Sequence, residues 1–525
     1  MHVLKRAPPW FVAGGRYGGI VTPSRGIDAD FLDLPRHELA EAALSAATKA
    51  GASHADLRVH RISTEIIQLR DGELETAVIS REVGLAVRVI VDGTWGFASH
   101  AELAPSVAAE TARRAVHVAT TLAALNTERV ELAPEPVYAD ATYVSNYRID
   151  PFDIPAADKI AVLEEYSGRL LDAGGIDHVS ASLTVVKEQT FYADTFGSSI
   201  TQQRVRLLPS LEAVTVDAVA GSFDSMRTLA PPMGRGWEMV AGDDVWNWTD
   251  ELAQLPSLLA EKVKAPGVTA GRKDLVIDPT NLWLTIHESI GHATEYDRAI
   301  GYEAAYAGTS FATPDKLGTM RYGSPVMNVT ADRTVESGLA TIGYDDEGVA
   351  AQTWDLVRDG VFVGYQLDRV FAPRLGQPRS NGCSYADSPH HVPIQRMANV
   401  SLQPGPDDTS TADLISRVDD GIYIIGDKSW SIDMQRYNFQ FTGQRFFRIR
   451  DGRLDGQLRD VAYQATTTDF WNSLEAVGGP STWRLGGALN CGKAQPGQIA
   501  PVSHGSPSAL FRRVNVLNTR TEGGR

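Results

Sequence analysis

Two hydrophobic rhythms alternate along this chain, one of helical period and one of period two. From Leu34 to Gly51 the spacing is helical, with proline inside the start and glycine past the end. Alternating runs follow at Asp56 to Arg61, Ile66 to Arg70 and Leu74 to Ile79, then at Leu85 to Val91 and Gly96 to Ser99. Asp71-Gly72 and Asp92-Gly93 separate them, and Asp-Gly between such runs is the strongest short hairpin signal. Ala104 to Leu125 is alanine-rich and reads as a helix. The idea then repeats. Ala156 to Asp172 predicts a helix, strands run from Val179 to Val219 around Asp194-Thr-Phe-Gly197, and Glu251 to Lys264 predicts another helix. The fold class this predicts is α+β, with helices on one face of a mostly antiparallel sheet.

Pro266-Gly267 closes that region, and a chain of 525 residues is too long for a single core. The expected organisation is a Pro/Gly-rich tail over 1–30, an N-terminal α+β domain over 31–265 and a C-terminal domain over 266–525. The second domain opens with the strand Leu275-Val-Ile, which feeds a helix, and is strand-rich from Thr330 onward, with turns at Asp359-Gly360 and Asp451-Gly452.

The helix after Leu275-Val-Ile carries the chemistry. Asp278-Pro279 is a good N-cap and first-turn pair, and Leu282, Ile286 and Ile290 recur at four-residue steps. On that helix His287, Glu288 and His292 form H-E-x-x-x-H. Neutral imidazoles are good zinc ligands, and a glutamate beside one can take a proton from metal-activated water. The spacing is one residue longer than in the familiar zinc-protease motif. On a regular helix an i,i+4 pair lies about 40° apart and an i,i+5 pair about 140° apart. A π-bulge or early unwinding corrects this, so an irregular turn is predicted at Ile290-Gly291-His292, with Gly291 permitting it.

A catalytic zinc needs a third protein ligand. The candidates are Cys491 in a glycine-rich segment, Cys383, and Glu295 one turn past His292. A thiolate with two imidazoles favours zinc over other divalent ions. Tyr385 and Arg396 are candidates for stabilising an oxyanion. His390-His391 reads as a loop pair, since adjacent strand residues face opposite ways, and Asp345-Asp346-Glu347 reads as an exposed acidic turn.

Composition narrows the partners. Forty-nine basic residues against 65 acidic ones give a net charge of −16, which disfavours a nucleic-acid backbone. Hydrophobic content of 43% and charged content of 22% are those of an ordinary soluble globular protein. No apolar run approaches the roughly 18 residues of a membrane span. Pro8-Pro9 and Gly14-Gly15 interrupt any signal-like segment, and the two cysteines fit a reducing compartment. A cytoplasmic protein is expected.

Several motifs together resemble the TldD/PmbA family, and specifically its TldD-type catalytic subunit. They are His287-Glu-Ser-Ile-Gly-His292, Ser384-Tyr385 with Arg396-Met-Ala-Asn399, and Asn490-Cys-Gly-Lys493. The likeness extends to Gly51-Ala-Ser-His-Ala-Asp-Leu-Arg58, Asp71-Gly72 and the stretch from Gly84 to Gly93. It implies a zinc metallopeptidase with His287, His292 and Cys491 on the metal and Glu288 as general base. It also implies short or unstructured peptides as substrates, including leader segments of peptide precursors. A heterodimer with a metal-free family paralogue, or a homodimer, would enclose the site in a chamber. The other class of function is a non-catalytic peptide-binding or regulatory subunit with a structural metal. Residues 1–30 match nothing in the family core, and the segment from Trp430 to Phe447 carries Met434, Arg436, Tyr437 and Arg445 where a more glycine-rich stretch is expected.

Overall fold

A computed structural model describes residues 26–217 and 222–522. Most of the 1–30 tail therefore lies outside the described residues. The first sheet is built from β1 (His54–Arg70), β2 (Glu73–Val91), β3 (Thr94–His100), β4 (Ala141–Val144), β5 (His178–Asp194), β6 (Ser199–Asp217) and β7 (Ser222–Arg227). Its order is β3-β2-β1-β5-β6-β4, with β7 also on β6, and every pairing is antiparallel except β4 with β6. The separate runs expected between Asp56 and Val91 merge into two long strands. Nothing breaks them, because neither a proline nor a glycine with positive φ falls within His54–Arg70 or Glu73–Val91. Asp71-Gly72 and Asp92-Gly93 turn the hairpins with φ of +52°, +81°, +49° and +71°.

Period two governs both faces of this sheet. The odd positions of β1, Leu57, Val59, Ile67 and Leu69, point to one side and are buried. Helices α1 (Arg36–Lys49) and α2 (Pro105–Ala123) cover one end of that face. Helices α3 (Ala156–Asp172) and α4 (Trp248–Lys264) cover the other. The even positions carry Asp56, Arg58, His60, Arg88, Glu188, Arg204 and Arg206, and these are buried as well.

That charged face packs on the C-terminal half of the chain. Arg58 reaches Asp346 at 2.8 Å, and Arg88 bridges Asp56 and Glu347 at 2.9 and 3.0 Å. Asp345-Asp346-Glu347 is therefore not an exposed turn. All three residues are buried at the contact, where burial and the neighbouring Glu347 push the Asp345 carboxyl up to about 7. Breaking one partner of such a pair costs about 3–5 kcal/mol, so the pairs fix how the two halves meet.

The main path of the second large sheet runs through β8 (Gly271–Ile277), β9 (Asp420–Ile432), β10 (Asn438–Arg450), β11 (Arg453–Leu458), β12 (Val461–Thr466) and a late strand separated from them by a hairpin, with Leu474–Val477 also on the late strand. The hairpin is β13 (Arg484–Lys493) with β14 (Gln498–Ser506), and the late strand is β15 (Ala509–Asn518). The order β9-β8-β15-β12-β10-β11 closes on itself because β9 also pairs with β10. Helix α5 (Pro279–Ile286) follows β8 into this frame. Asn281 donates to the carbonyls of Gly426 and Thr442 at 2.9 Å, tying the helix to β9 and β10. Leu282, Ile286 and Ile290 are fully buried in the surrounding core.

Candidate metal centre

Asp278 caps α5, its carboxylate accepting the Thr280 N–H at 3.0 Å. Past Ile286 the helix widens into one π turn over His287–Gly291 and then tightens into a 3₁₀ turn over His292–Thr294. In a π turn the backbone bond spans five residues, so His287 and His292 come onto one side. Their rings lie 4.6 Å apart. Gly291 has ordinary helical φ. Its requirement is space, because a Cβ there would sit 2.5 Å from the Met397 sulfur.

The third donor arrives from β13. Cys491 Sγ lies 3.5 Å from His292 Nε2, and donor atoms of His287, His292 and Cys491 all fall within 4.8 Å of one another. Donors at 2.1 and 2.3 Å on a tetrahedral zinc are separated by about 3.6 Å. The glycines preceding Cys491 let β13 lie on α5, since a Cβ on Gly486 would meet the Trp283 ring at 2.3 Å. The register of β13 on β14 slips between Ala488 and Cys491, which re-aims the strand at the thiol.

Hydrogen bonds fix which nitrogen of each imidazole is bare. His504 Nδ1 is 2.9 Å from the Val400 carbonyl, which can only accept, so that nitrogen carries the proton. Burial, then the neighbouring His287, holds His504 well below the usual histidine range, leaving its Nε2 as an acceptor. His287 Nδ1 lies 2.7 Å from it and donates, which turns the His287 Nε2 lone pair outward. His292 Nδ1 sits 2.8 Å from a Glu295 carboxylate oxygen, which can only accept, so Nδ1 carries a proton and Nε2 is the atom turned to the cluster. Two imidazole nitrogens and a thiol thus converge, and the donor set fits zinc. His504→Ala is expected to weaken zinc affinity about 10–100-fold, measured by competition with a chromophoric chelator. Unchanged affinity would mean His287 is oriented without it.

Glu295 is thus a partner of His292 rather than a ligand. Burial raises its carboxyl, but Lys493 above all, then His292 and Arg298, overcome that and hold it well below the usual range. Lys493 Nζ donates to Glu295 at 3.0 Å and to Asp297 at 2.8 Å. Cys491 and Lys493 are two apart on one strand and share a face. One offers the thiol, and the other secures the carboxylate behind His292. For Cys491, burial raises the thiol, yet His292 and Arg396 outweigh it and the net direction is down. Cys383 lies apart, pushed up to about 11 by burial, and remains a protonated thiol.

Glu288 faces a cleft of about 500 Å³ bordered by the three donors, Trp430 and Arg436. Burial pushes its carboxyl up, but His292, His287, Arg436 and a bond from Trp430 more than compensate and hold it below its usual value. Arg436 Nη1 donates to Glu288 at 3.0 Å. The structure brings neither Tyr385 nor Arg396 to this cleft. Tyr385 lies beneath the Arg204 guanidinium, 5.7 Å from ring centre to Cζ, at the charged contact between the two halves. Arg396 is fully buried and donates to the backbone carbonyls of Cys491 and Gln498, bracing the β13–β14 hairpin. His391 pairs with Asp387 at 2.6 Å and His390 with Ser99 at 3.3 Å, so neither joins a metal cluster.

Residues that sequence reasoning left without a role are His504, Lys493 and Arg436. Lys493 was visible two positions after Cys491, on the same strand face. The other two carry no local signal, because their partners lie 217 and 148 residues away.

Residues 270–518 match the PmbA/TldA metallopeptidase C-terminal domain, and residues 55–119 match domain 1 of the same family. The chain belongs to the PmbA/TldD family. It is 29% identical over 468 residues to a metalloprotease of Methanothermobacter thermautotrophicus, covering 89% of this chain and 96% of that protein. A zinc metalloprotease TldD homolog of Saccharolobus solfataricus is 22% identical over 474 residues, covering 90% and 98%. Among solved structures, TldE of Thermococcus kodakarensis superposes with a TM-score of 0.68 at 16% identity, over 91% of this chain and 99% of that one. A putative modulator of a DNA gyrase from Thermotoga maritima shares the fold, with a TM-score of 0.70 at 15% identity, covering 92% and 100%. No helix among the described residues is long and apolar enough to cross a membrane.

Proposed function

We propose that this chain is a zinc-dependent peptidase acting on short or unstructured peptides, with Glu288 as general base. The observation that carries the reading is the convergence of three metal-donor atoms beside an ionised glutamate on the wall of an open cleft. The printed names of the relatives, metalloprotease and zinc metalloprotease, support it. A bound divalent ion supplies Lewis-acid chemistry, acidifying a water and polarising a carbonyl. The chain's own residues do the rest. Glu288 takes a proton as the water oxygen bonds to the peptide carbonyl carbon and the carbonyl π pair moves onto oxygen. The carbonyl then re-forms, the C–N bond breaks, and Glu288 returns the proton to the leaving nitrogen. His504 and Glu295 hold the two imidazoles in the tautomers that keep their Nε2 atoms bare.

A structural zinc site closes its fourth position with a protein donor, whereas a catalytic one keeps it open. Among the described residues the cluster offers three donors and borders a cleft, which favours catalysis over a binding or regulatory role. In this reading the chain pairs with a metal-free family paralogue, or with a second copy, to shut folded proteins out. Two buried, unpaired cysteines fit a cytoplasmic setting.

The test is digestion of a library of unstructured peptides by the purified chain, alone and with such a paralogue. Cleavage abolished by a chelator and restored by zinc is the expected result. A zinc-loaded protein that leaves the whole library intact in both settings would overturn the reading.

A further inference from the structure

Arg436 lies in the tip that joins β9 to β10, and that tip is pinned on several sides. The Asp433 carboxylate accepts the N–H groups of Gln435, Tyr437 and Asn438 at 3.1, 2.8 and 3.0 Å. The carbonyls of Met434 and Gln435 accept from Thr309 and Phe311 at 2.7 and 3.0 Å. The Thr467 hydroxyl donates to the Arg436 carbonyl at 2.8 Å. On this frame Arg436 has φ +61°, a left-handed conformation that suits glycine and strains a long side chain. An arginine held there is placed for its side chain.

The guanidinium reaches the cleft wall and spends little of its bonding capacity. Nη1 donates to Glu288 at 3.0 Å, Nη2 makes only a long 3.5 Å contact with the Ala307 carbonyl, and Nε is buried with no hydrogen-bond partner. Arginine–carboxylate pairs are frequently bidentate. This one is single, leaving spare donors beside the proposed base. Glu288 must stand about 3 Å from the water it deprotonates, and that water about 3–3.5 Å from the carbonyl carbon it attacks. A cation touching Glu288 is therefore next to the oxygen on which negative charge develops.

We propose that Arg436 is a catalytic residue that donates hydrogen bonds to the carbonyl oxygen as it becomes an oxyanion. The proposal rests on the peptidase reading above. Water adds to carbon and its proton goes to Glu288. The carbonyl π pair becomes a lone pair facing the guanidinium, and collapse returns that pair to the C=O bond as nitrogen leaves with the proton. Arg436 keeps all its protons throughout, because a guanidinium does not deprotonate in proteins. This is the part that Tyr385 and Arg396 were candidates for and that neither is positioned to play.

Arg436→Gly tests it cleanly, since glycine removes the guanidinium and relieves the left-handed backbone. On a peptide blocked at both ends, kcat is expected to fall about 10²–10³-fold with KM little changed and zinc content equal to the parent's. A phosphinic peptide, which presents a tetrahedral anion, should lose affinity by the same factor as kcat/KM. Guanidinium ion added to the variant should restore part of the lost kcat, and Arg436→Lys should fall between variant and parent. An unchanged kcat, or phosphinic affinity equal to the parent's, would overturn the proposal. So would a loss confined to KM, or one seen only with peptides bearing a free C-terminal carboxylate, which assigns the arginine to substrate anchoring. Failure of the peptidase reading looks different. A parent that does not cleave, or a Glu288→Gln variant that cleaves equally well, would sink both.

Discussion

Glu288→Gln is expected to lower kcat for peptide hydrolysis by about 10²–10⁴-fold, the usual contribution of general acid–base catalysis, while zinc content and fold stay as in the parent. The two halves of that expectation have separate causes. Glutamine keeps the shape of the side chain and an oxygen for Arg436, now 3.0 Å from the carboxylate, but it cannot take a proton from water. The metal donors do not depend on Glu288 for orientation. His287 is held by His504 and His292 by Glu295. Single-turnover rates at matched zinc occupancy are the measurement, and a variant as fast as the parent would remove Glu288 from the base role. The pH profile supplies a second check. Glu288 is held below its usual value, so protonation of this base ends activity only as pH falls through that lowered pKa. A loss at higher pH must come from another group, and zinc released at the same pH would identify protonation of the ligands.

What the sequence makes legible is local. Asp278-Pro279 announces the start of α5, and the apolar stripe Leu282, Ile286 and Ile290 announces which side is buried. The five-residue separation of His287 and His292 forces an irregular turn, and the structure has one. Asp-Gly pairs mark the β1–β2 and β2–β3 hairpins of the first sheet. What stays hidden depends on pairings between distant strands. The even face of β1, β2, β5 and β6 has the alternation of a solvated surface, yet Arg58, Arg88 and Glu188 are buried because their counter-charges come from other strands and from the C-terminal half. Asp345-Asp346-Glu347 is the other side of that contact, and its burial is hidden in the sequence for the same reason. Arg396 looks like an electrophile when only its residue type is known. Once the β13–β14 hairpin is in place it is a brace for two carbonyls. His504 has no motif around it at all, and becomes meaningful only when β14 sets it against His287.

Cys491→Ala should have the second large effect, and on a different quantity. The substitution leaves both imidazoles their orienting partners, since His504 bonds to His287 and Glu295 to His292. Tight zinc binding by four protein ligands is worth about 10–16 kcal/mol, so one ligand carries roughly 3 kcal/mol, a factor on the order of a hundred in affinity. Zinc titration should show that loss, and peptide hydrolysis should fall with occupancy and return in part at high zinc. Removing a small buried side chain adds a modest packing cost, so a similar substitution at Cys383 serves as the control. Cys383 is equally buried, its thiol is protonated, and it lies outside the donor cluster. Cys383→Ala should therefore lower thermal stability without changing zinc affinity. If Cys491→Ala instead retains full zinc occupancy at limiting metal, the thiol is not a ligand. The site would then lack its third corner, and Glu295, whose carboxylate already touches His292, would be the next donor to test.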